Sequence, residues 1–86
     1  MPDLMADLTK VLQTVFEDDN LQVSENTTAA DIPGWDSLMH VRVMLNVERA
    51  FGIRFKTAEI AKPKNIGELA QLVEHYVSEK MRKKVA

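Results

Sequence analysis

The chain has 86 residues, no cysteine and a net charge of −2 from 13 acidic and 11 basic residues. A chain of this length forms one small domain and is shorter than most enzymes, which need both a scaffold and a pocket. Without cysteine it has neither disulfide bonds nor thiolate ligands, and its two histidines, His40 and His75, lack the spacing of a metal site. We therefore expect one domain over residues 1–86 that is not an enzyme and binds no metal.

Charge is unevenly distributed along the chain. Residues 1–41 contain eight acids and one base, whereas residues 42–86 contain ten bases and five acids. The basic run over residues 80–84 is typical of a solvated helix end, and we expect no nucleic-acid binding. No apolar run approaches the roughly 20 residues of a membrane span, and no signal-like segment opens the chain, so we expect a cytoplasmic protein.

The first predicted helix covers about residues 4–17, because apolar residues recur there every three or four positions. The connection that follows, from residue 21 to Asp36, is long for a small domain and rich in Ser, Asn, Thr and Asp. Connections of this length usually have a function. Here the connection would cross the bundle so that two helices can run parallel, and it would position Ser37, the residue that follows it. Its Pro33-Gly34 pair predicts a turn, and Trp35 is interpreted as an anchor packed on a helix end.

The second helix is predicted over residues 37–51, with Asp36 as its N-cap and Gly52 as the residue that ends it. Its apolar residues form two stripes. The first, assigned to the core, consists of Val43, Met44, Val47 and Phe51. The second consists of Leu38, Val41 and Leu45. Periodicity alone leaves open whether the second stripe is buried or is exposed for docking. His40 lies on the core side and is interpreted as a hydrogen-bonded packing residue.

Two further helices are predicted after Gly52. Thr57 is a candidate cap for a short helix that must end before Pro63. Asn65 with Glu68 resembles a capping box that opens a longer one. The predicted helices cover about residues 4–17, 37–51, 57–61 and 65–80, and we expect the tail, residues 81–86, to be frayed. Nothing alternates like a strand, so the sequence predicts an all-α fold, a small four-helix bundle of three main helices and one short helix with a long first loop.

Ser37 is the residue most indicative of function. It falls at about the first position of the second helix, where unpaired backbone N–H groups and the positive end of the helix dipole favour negative charge. A phosphodiester on its hydroxyl would therefore be electrostatically favoured. A simpler alternative is that Ser37 only extends the N-terminal cap.

Two segments resemble the attachment site of acyl and peptidyl carrier proteins. They are residues 34–38, Gly-Trp-Asp-Ser-Leu, and residues 46–53, Asn-Val-Glu-Arg-Ala-Phe-Gly-Ile. The resemblance spans roughly residues 4–78 and implies an acyl-carrier-like fold. In that family the serine of Asp-Ser-Leu carries 4'-phosphopantetheine, a flexible arm whose thiol holds acyl or aminoacyl groups as thioesters. By resemblance, Ser37 is the attachment residue, flanked by Asp36 and Leu38. The implied partners are a phosphopantetheinyl transferase, an acyl or aminoacyl ligase, and downstream synthase or transferase enzymes.

The resemblance also implies a partner-binding face, because in carrier proteins the strip beside the serine faces partner enzymes. The face so implied consists of Leu38, Met39, Val41, Arg42, Leu45, Glu48 and Arg49. Housekeeping fatty-acid carriers usually have a strongly acidic second helix, and here Arg42 and Arg49 interrupt it. We therefore expect a specialised pathway, for example polyketide, modified lipid or aminoacyl transfer. Because the chain starts at Met1, we expect a freestanding protein rather than an excised module. We also expect it to be a monomer.

Two other functions remain open on the residues alone. One is a non-covalent helical interaction module, whose exposed strip binds a partner and whose serine is never modified. The other is a small serine hydrolase, since Asp-Ser-Leu also resembles the Gly-Asp-Ser-Leu lipases and esterases. This chain departs from their pattern because Trp35 replaces the glycine and no Gly-x-Ser-x-Gly elbow is present. In addition, His40 is only three residues from Ser37 on the same helix.

Overall fold

Apolar residues at helical spacing bring three long helices together around one core. The computed structural model describes residues 4–85, with side chains described for residues 4–81. Its elements in chain order are α1 (Leu4–Val15), a 3₁₀ turn (Ala29–Asp31), α2 (Ser37–Phe51), α3 (Thr57–Ile60) and α4 (Ile66–Val85). No strand occurs in this part of the chain. The predicted all-α fold, with three main helices, one short helix and a long first loop, is confirmed.

The core lies where α1 packs against both α2 and α4. Most of its buried members lie on α1, α2 and α4 at the helical spacing that places them on one helix face, and Ile53 and Phe55 come from the segment after α2. They are Leu4, Leu8, Leu12, Val43, Met44, Val47, Ile53, Phe55, Ile66, Leu69 and Val73. The predicted core stripe of α2 is thus confirmed, except that Phe51 is only half-buried at the edge of the core.

The end of α1 differs from the prediction. The helix ends at Val15, two residues early, because Glu17 adopts a left-handed conformation with φ of 52°. The N–H of Glu17 donates to the carbonyl of Thr14 at 3.3 Å, and the N–H of Asp18 donates to that of Gln13 at 3.0 Å. This pair of bonds is a Schellman motif, which usually has glycine or asparagine at the left-handed position. Because Glu17 is a glutamate, the sequence did not indicate that α1 ends at this position.

The ends of the last two helices also need correction. Lys56, not Thr57, is the N-cap of α3, no side-chain bond caps that helix, and it ends at Ile60, one residue early. α4 continues to Val85, five residues beyond its predicted end at about residue 80. The expected fraying of the tail stays a prediction. Lys, Met and Arg are good helix formers, and cations near a helix C-terminus are stabilising. Ala86 lies outside the described residues.

The first turn of α4 is capped as the sequence indicated, with one difference. The Asn65 side chain accepts a hydrogen bond from the N–H of Glu68 at 2.8 Å. The Glu68 carboxylate accepts from the N–H of Lys64 at 3.0 Å, one residue before its partner in a capping box. The helix start is therefore satisfied from both sides.

The long first loop is fixed to the bundle by backbone hydrogen bonds. The N–H groups of Ile66 and Gly67 donate to the carbonyls of Thr27 and Glu25 at 2.9 and 2.8 Å. A Cβ on Gly67 would lie 3.0 Å from the Glu25 carbonyl oxygen, so a larger residue there would push the loop away by a few tenths of an ångström. Ile32 then buries its side chain near the end of the loop. The loop thus crosses to α4 and returns to deliver the chain to α2.

Candidate functional site

The turn before α2 orients the chain for the helix start. The N–H of Trp35 donates to the carbonyl of Ile32 at 3.2 Å, closing a turn with Pro33 and Gly34 at its centre. Gly34 has φ of 86°, which a type II turn requires at its third position and which glycine adopts without strain. The predicted Pro-Gly turn is confirmed.

Ser37 is exposed and is the first residue of α2. Asp36 has extended backbone geometry, and its Oδ1 accepts a hydrogen bond from the N–H of Met39 at 2.9 Å. Asp36 is therefore the N-cap, as predicted. The remaining first-turn N–H groups have no intrahelical acceptor, so the Ser37 hydroxyl lies at the positive end of a 15-residue helix.

Trp35 and His40 connect this turn to two other parts of the fold. The Trp35 ring packs against Phe16 with centroids 5.4 Å apart, and its Nε1 donates to Nδ1 of His40 at 3.3 Å. Nε2 of His40 lies 2.7 Å from the carbonyl oxygen of Ile60 in α3. Because Nδ1 accepts, the hydrogen-bond network assigns the proton to Nε2, which donates. Trp35 is thus the anchor that the sequence indicated and His40 the packing histidine, which argues against His40 as a base for Ser37.

The other side of α3 is fastened to α4 by Tyr76. Its hydroxyl donates to Oε2 of Glu59 at 2.6 Å and accepts from the N–H of Lys56 at 3.1 Å. The ring also meets Phe55 edge-on, with centroids 5.3 Å apart. Burial raises the pKa of the Tyr76 hydroxyl above 10.0, and the hydrogen bond to Glu59 raises it further. No spacing in the sequence indicates this contact, because Tyr76 and Glu59 are 17 residues apart and lie on different helices.

Replacing Tyr76 by Phe is expected to lower the free energy of unfolding by about 1–2 kcal/mol at neutral pH, because one part-buried hydrogen bond, to Glu59, and one exposed hydrogen bond, from Lys56, are lost. The raised pKa means that the fold favours the neutral hydroxyl. Its contribution is therefore complete below the unfolded-state pKa of about 10 and disappears as pH rises through the higher folded-state pKa.

Urea unfolding of both proteins between pH 7 and 11 measures this difference. The gap between wild type and Tyr76→Phe should narrow at the alkaline end. As a control, Glu59→Gln keeps an acceptor for the Tyr76 hydroxyl and removes the charge. In the Glu59→Gln protein, the stability difference that Tyr76→Phe causes should therefore narrow less at alkaline pH. Equal stability of wild type and Tyr76→Phe at pH 7 would show that the contact does not fasten α3.

The second apolar stripe of α2 is exposed. Leu38 is 67% exposed, Val41 48% and Leu45 52%. The structure thus decides what periodicity left open, and the alternative of a helix buried on nearly all sides is wrong. These three residues, named here the exposed strip, follow Ser37 along one side of α2.

The other residues of the implied partner face have differing surroundings. Arg42 and Arg49 are exposed and flank the exposed strip, while Met39 is half-buried. Glu48 is also half-buried, and its Oε2 accepts a hydrogen bond from the N–H of Phe55 at 2.7 Å. Its carboxylate therefore holds the segment after α2 against the helix, a role that the sequence did not indicate.

Among the described residues, no helix combines the length and apolar character needed to cross a membrane. Within the same part of the chain, no group of three or more His, Asp or Glu side chains is arranged to hold a metal ion.

The sequence that contains this serine at a capped helix start matches the model of a known protein family. The family model described as the phosphopantetheine attachment site matches residues 6–73. The chain therefore belongs to the phosphopantetheine-binding family. No match was found among curated proteins.

The fold gives a second, independent match. The structure is similar to a solution NMR structure of a holo acyl carrier protein from Geobacter metallireducens, with 39% sequence identity and a TM-score of 0.84. The match covers 95% of this chain and 93% of that chain. The resemblance to acyl carrier proteins is thus confirmed, and the cofactor is covalent 4'-phosphopantetheine. The exposed hydroxyl of Ser37 at a positive helix end fits a phosphodiester.

Proposed function

We propose that this protein is an acyl carrier protein that carries acyl or aminoacyl groups as thioesters on 4'-phosphopantetheine attached to Ser37, and that it is not itself a catalyst. The observation that supports the proposal is the exposed Ser37 at the first position of α2, inside the matched region, residues 6–73. The cofactor supplies the thiol, which a chain without cysteine lacks. Asp36 fixes the helix start, the first-turn N–H groups favour the phosphate, and Leu38 lies exposed beside it.

Mass spectrometry of the intact protein tests this function. The purified chain is incubated with coenzyme A and a phosphopantetheinyl transferase of broad specificity, and we expect its mass to rise by one phosphopantetheine group. An unchanged mass with several such transferases would instead favour a non-covalent interaction module with unmodified Ser37.

We further propose that the exposed strip, flanked by Arg42 and Arg49, is the face that partner enzymes meet. Those partners are the transferase, an acyl or aminoacyl ligase, and the synthases or transferases that use the carried group. Two exposed arginines beside the strip differ from the acidic helix expected of housekeeping fatty-acid carriers. A specialised pathway, such as polyketide, modified lipid or aminoacyl transfer, suits this charge better. We propose that the protein acts as a cytoplasmic monomer.

Replacing Leu45 by Ala is expected to slow modification of Ser37 about 5–10-fold in kcat/KM of the transferase, because an apolar contact of about 1 kcal/mol is lost from the interface. Leu45 is 52% exposed, so the free energy of unfolding should change by less than about 0.5 kcal/mol.

Met81→Ala is the matched control for this experiment. Met81 is an exposed apolar side chain on α4, 63% accessible and far along the chain from Ser37. Its replacement should leave the rate unchanged. Equal rates for wild type and Leu45→Ala would place the partner face elsewhere.

A further inference from the structure

A groove with a volume of about 990 Å³ lies between the end of α2, the segment that follows it, and α4. Its lining includes four cationic residues, Arg49, Arg54, Lys56 and Lys80, and two acidic ones, Glu48 and Glu79. We name the site the cationic groove after the four cationic residues. It is open to solvent, since all four are exposed.

Hydrogen bonds already hold part of this lining in place. The carboxylate of Glu48 accepts from the N–H of Phe55, so it lies against the backbone at 2.7 Å. The Lys80 ammonium donates to the carbonyl of Gly52 at 2.8 Å, and both residues line the groove. The guanidinium groups of Arg49 and Arg54 offer planar donors that suit carboxylates. The groove therefore presents four cationic side chains against two acidic ones, on a chain whose net charge is −2.

The groove also has an apolar side. Ile53 is buried, and Leu45 contributes an exposed apolar side chain that belongs to the exposed strip as well. Leu45 and Arg49 are four residues apart, so they lie one turn apart on the same face of α2. At 1.5 Å per residue, Leu45 and Arg49 lie about 12 and 18 Å from Ser37 along the helix axis. An enzyme that covers the exposed strip to reach Ser37 therefore meets the cationic groove at Leu45.

We propose that the cationic groove binds an acidic segment of a partner enzyme, with carboxylates on Arg49 and Arg54 and an apolar side chain on Leu45. This inference rests on the proposed function, because it is the enzymes acting on the group at Ser37 that cover the neighbouring strip. Charge complementarity selects this occupant, since like charges across an interface cost several kcal/mol and opposite charges steer association.

Other anionic surfaces fit the groove less well. A membrane surface requires a broad apolar face that inserts, whereas this site is concave and offers one exposed apolar side chain, Leu45. Nucleic acid would meet a chain whose residues 1–41 contain eight acids and one base. An acidic protein segment uses both the cations and Leu45.

An NMR titration of the ¹⁵N-labelled full chain tests the proposal, with a synthetic amphipathic peptide of glutamate and leucine as the probe. We expect shift changes at Leu45 and over residues 52–56, and none along α1. The double variant Arg49→Gln with Arg54→Gln should weaken binding about tenfold. The matched control, Lys62→Gln with Lys64→Gln, removes the same charge from exposed residues outside the groove and should bind as wild type does. Raising the salt concentration should weaken wild-type binding.

Several outcomes would overturn the proposal. They are equal affinity for the same peptide with lysine in place of glutamate, unchanged affinity in the arginine variant, and tighter binding to phosphatidylserine vesicles or to duplex DNA. Arg54→Gln alone, outside any helix, covers the case in which the double variant does not fold. Ser37→Ala should bind the peptide as wild type does, so failure of the groove and failure of Ser37 modification are read separately.

Discussion

Ser37→Ala is expected to abolish phosphopantetheine addition while changing the free energy of unfolding by less than about 0.5 kcal/mol. The hydroxyl oxygen is the atom that would form the bond to phosphorus, and alanine has no substitute for it. The fold should tolerate the change because Ser37 is exposed and the helix is capped by Asp36 instead. Intact mass after treatment with transferase and coenzyme A reports the loss, and circular dichroism reports the fold.

Two serines elsewhere in the chain serve as controls. Ser24 is exposed in the first loop, where its hydroxyl accepts from the N–H of Asn26, and Ser78 is exposed on α4. Ser24→Ala and Ser78→Ala should be modified as completely as wild type. Neither residue begins a helix, so neither has the positive end of a dipole beside it. If the mass gain persists in Ser37→Ala but disappears in one of the controls, the attachment residue is that control's serine and the assignment to Ser37 is wrong.

The features of α2 that depend on neighbouring residues could be predicted from the sequence. Asp36 caps the helix that Ser37 begins, and Gly52 ends it with φ of 65°, because capping and left-handed geometry are properties of single residue types. The core stripe followed from spacing alone. Whether Leu38, Val41 and Leu45 were buried could not be predicted, since burial depends on which elements pack against that side.

Contacts between distant residues account for most of what sequence analysis missed. Tyr76 reaches Glu59, and Glu48 holds the N–H of Phe55, although nothing in the spacing of these residues indicates a pair. Both contacts depend on how α4 and the segment after α2 pack against the rest of the fold. The end of α1 was missed for a local reason, because Glu17 is an uncommon choice for a left-handed residue.

Leu12→Ala is expected to cost about 2–5 kcal/mol of unfolding free energy, because it removes a fully buried side chain and leaves a cavity. Leu12 belongs to α1, which packs against both α2 and α4, so its loss weakens both contacts. In a domain of this size about 1 kcal/mol shifts the melting temperature by roughly 4–8 °C, so the change should be large in a thermal melt.

Leu45→Ala makes the same chemical change on the surface and is the natural comparison. It should leave the melting temperature nearly unchanged and slow modification, whereas Leu12→Ala should lower the melting temperature and slow modification only to the extent that the chain is unfolded. Phe51→Ala should fall between them, because Phe51 is half-buried at the core edge. If Leu12→Ala melts within a few degrees of wild type, α1 does not supply the central core contact, and the spacing that predicted its buried face was misassigned.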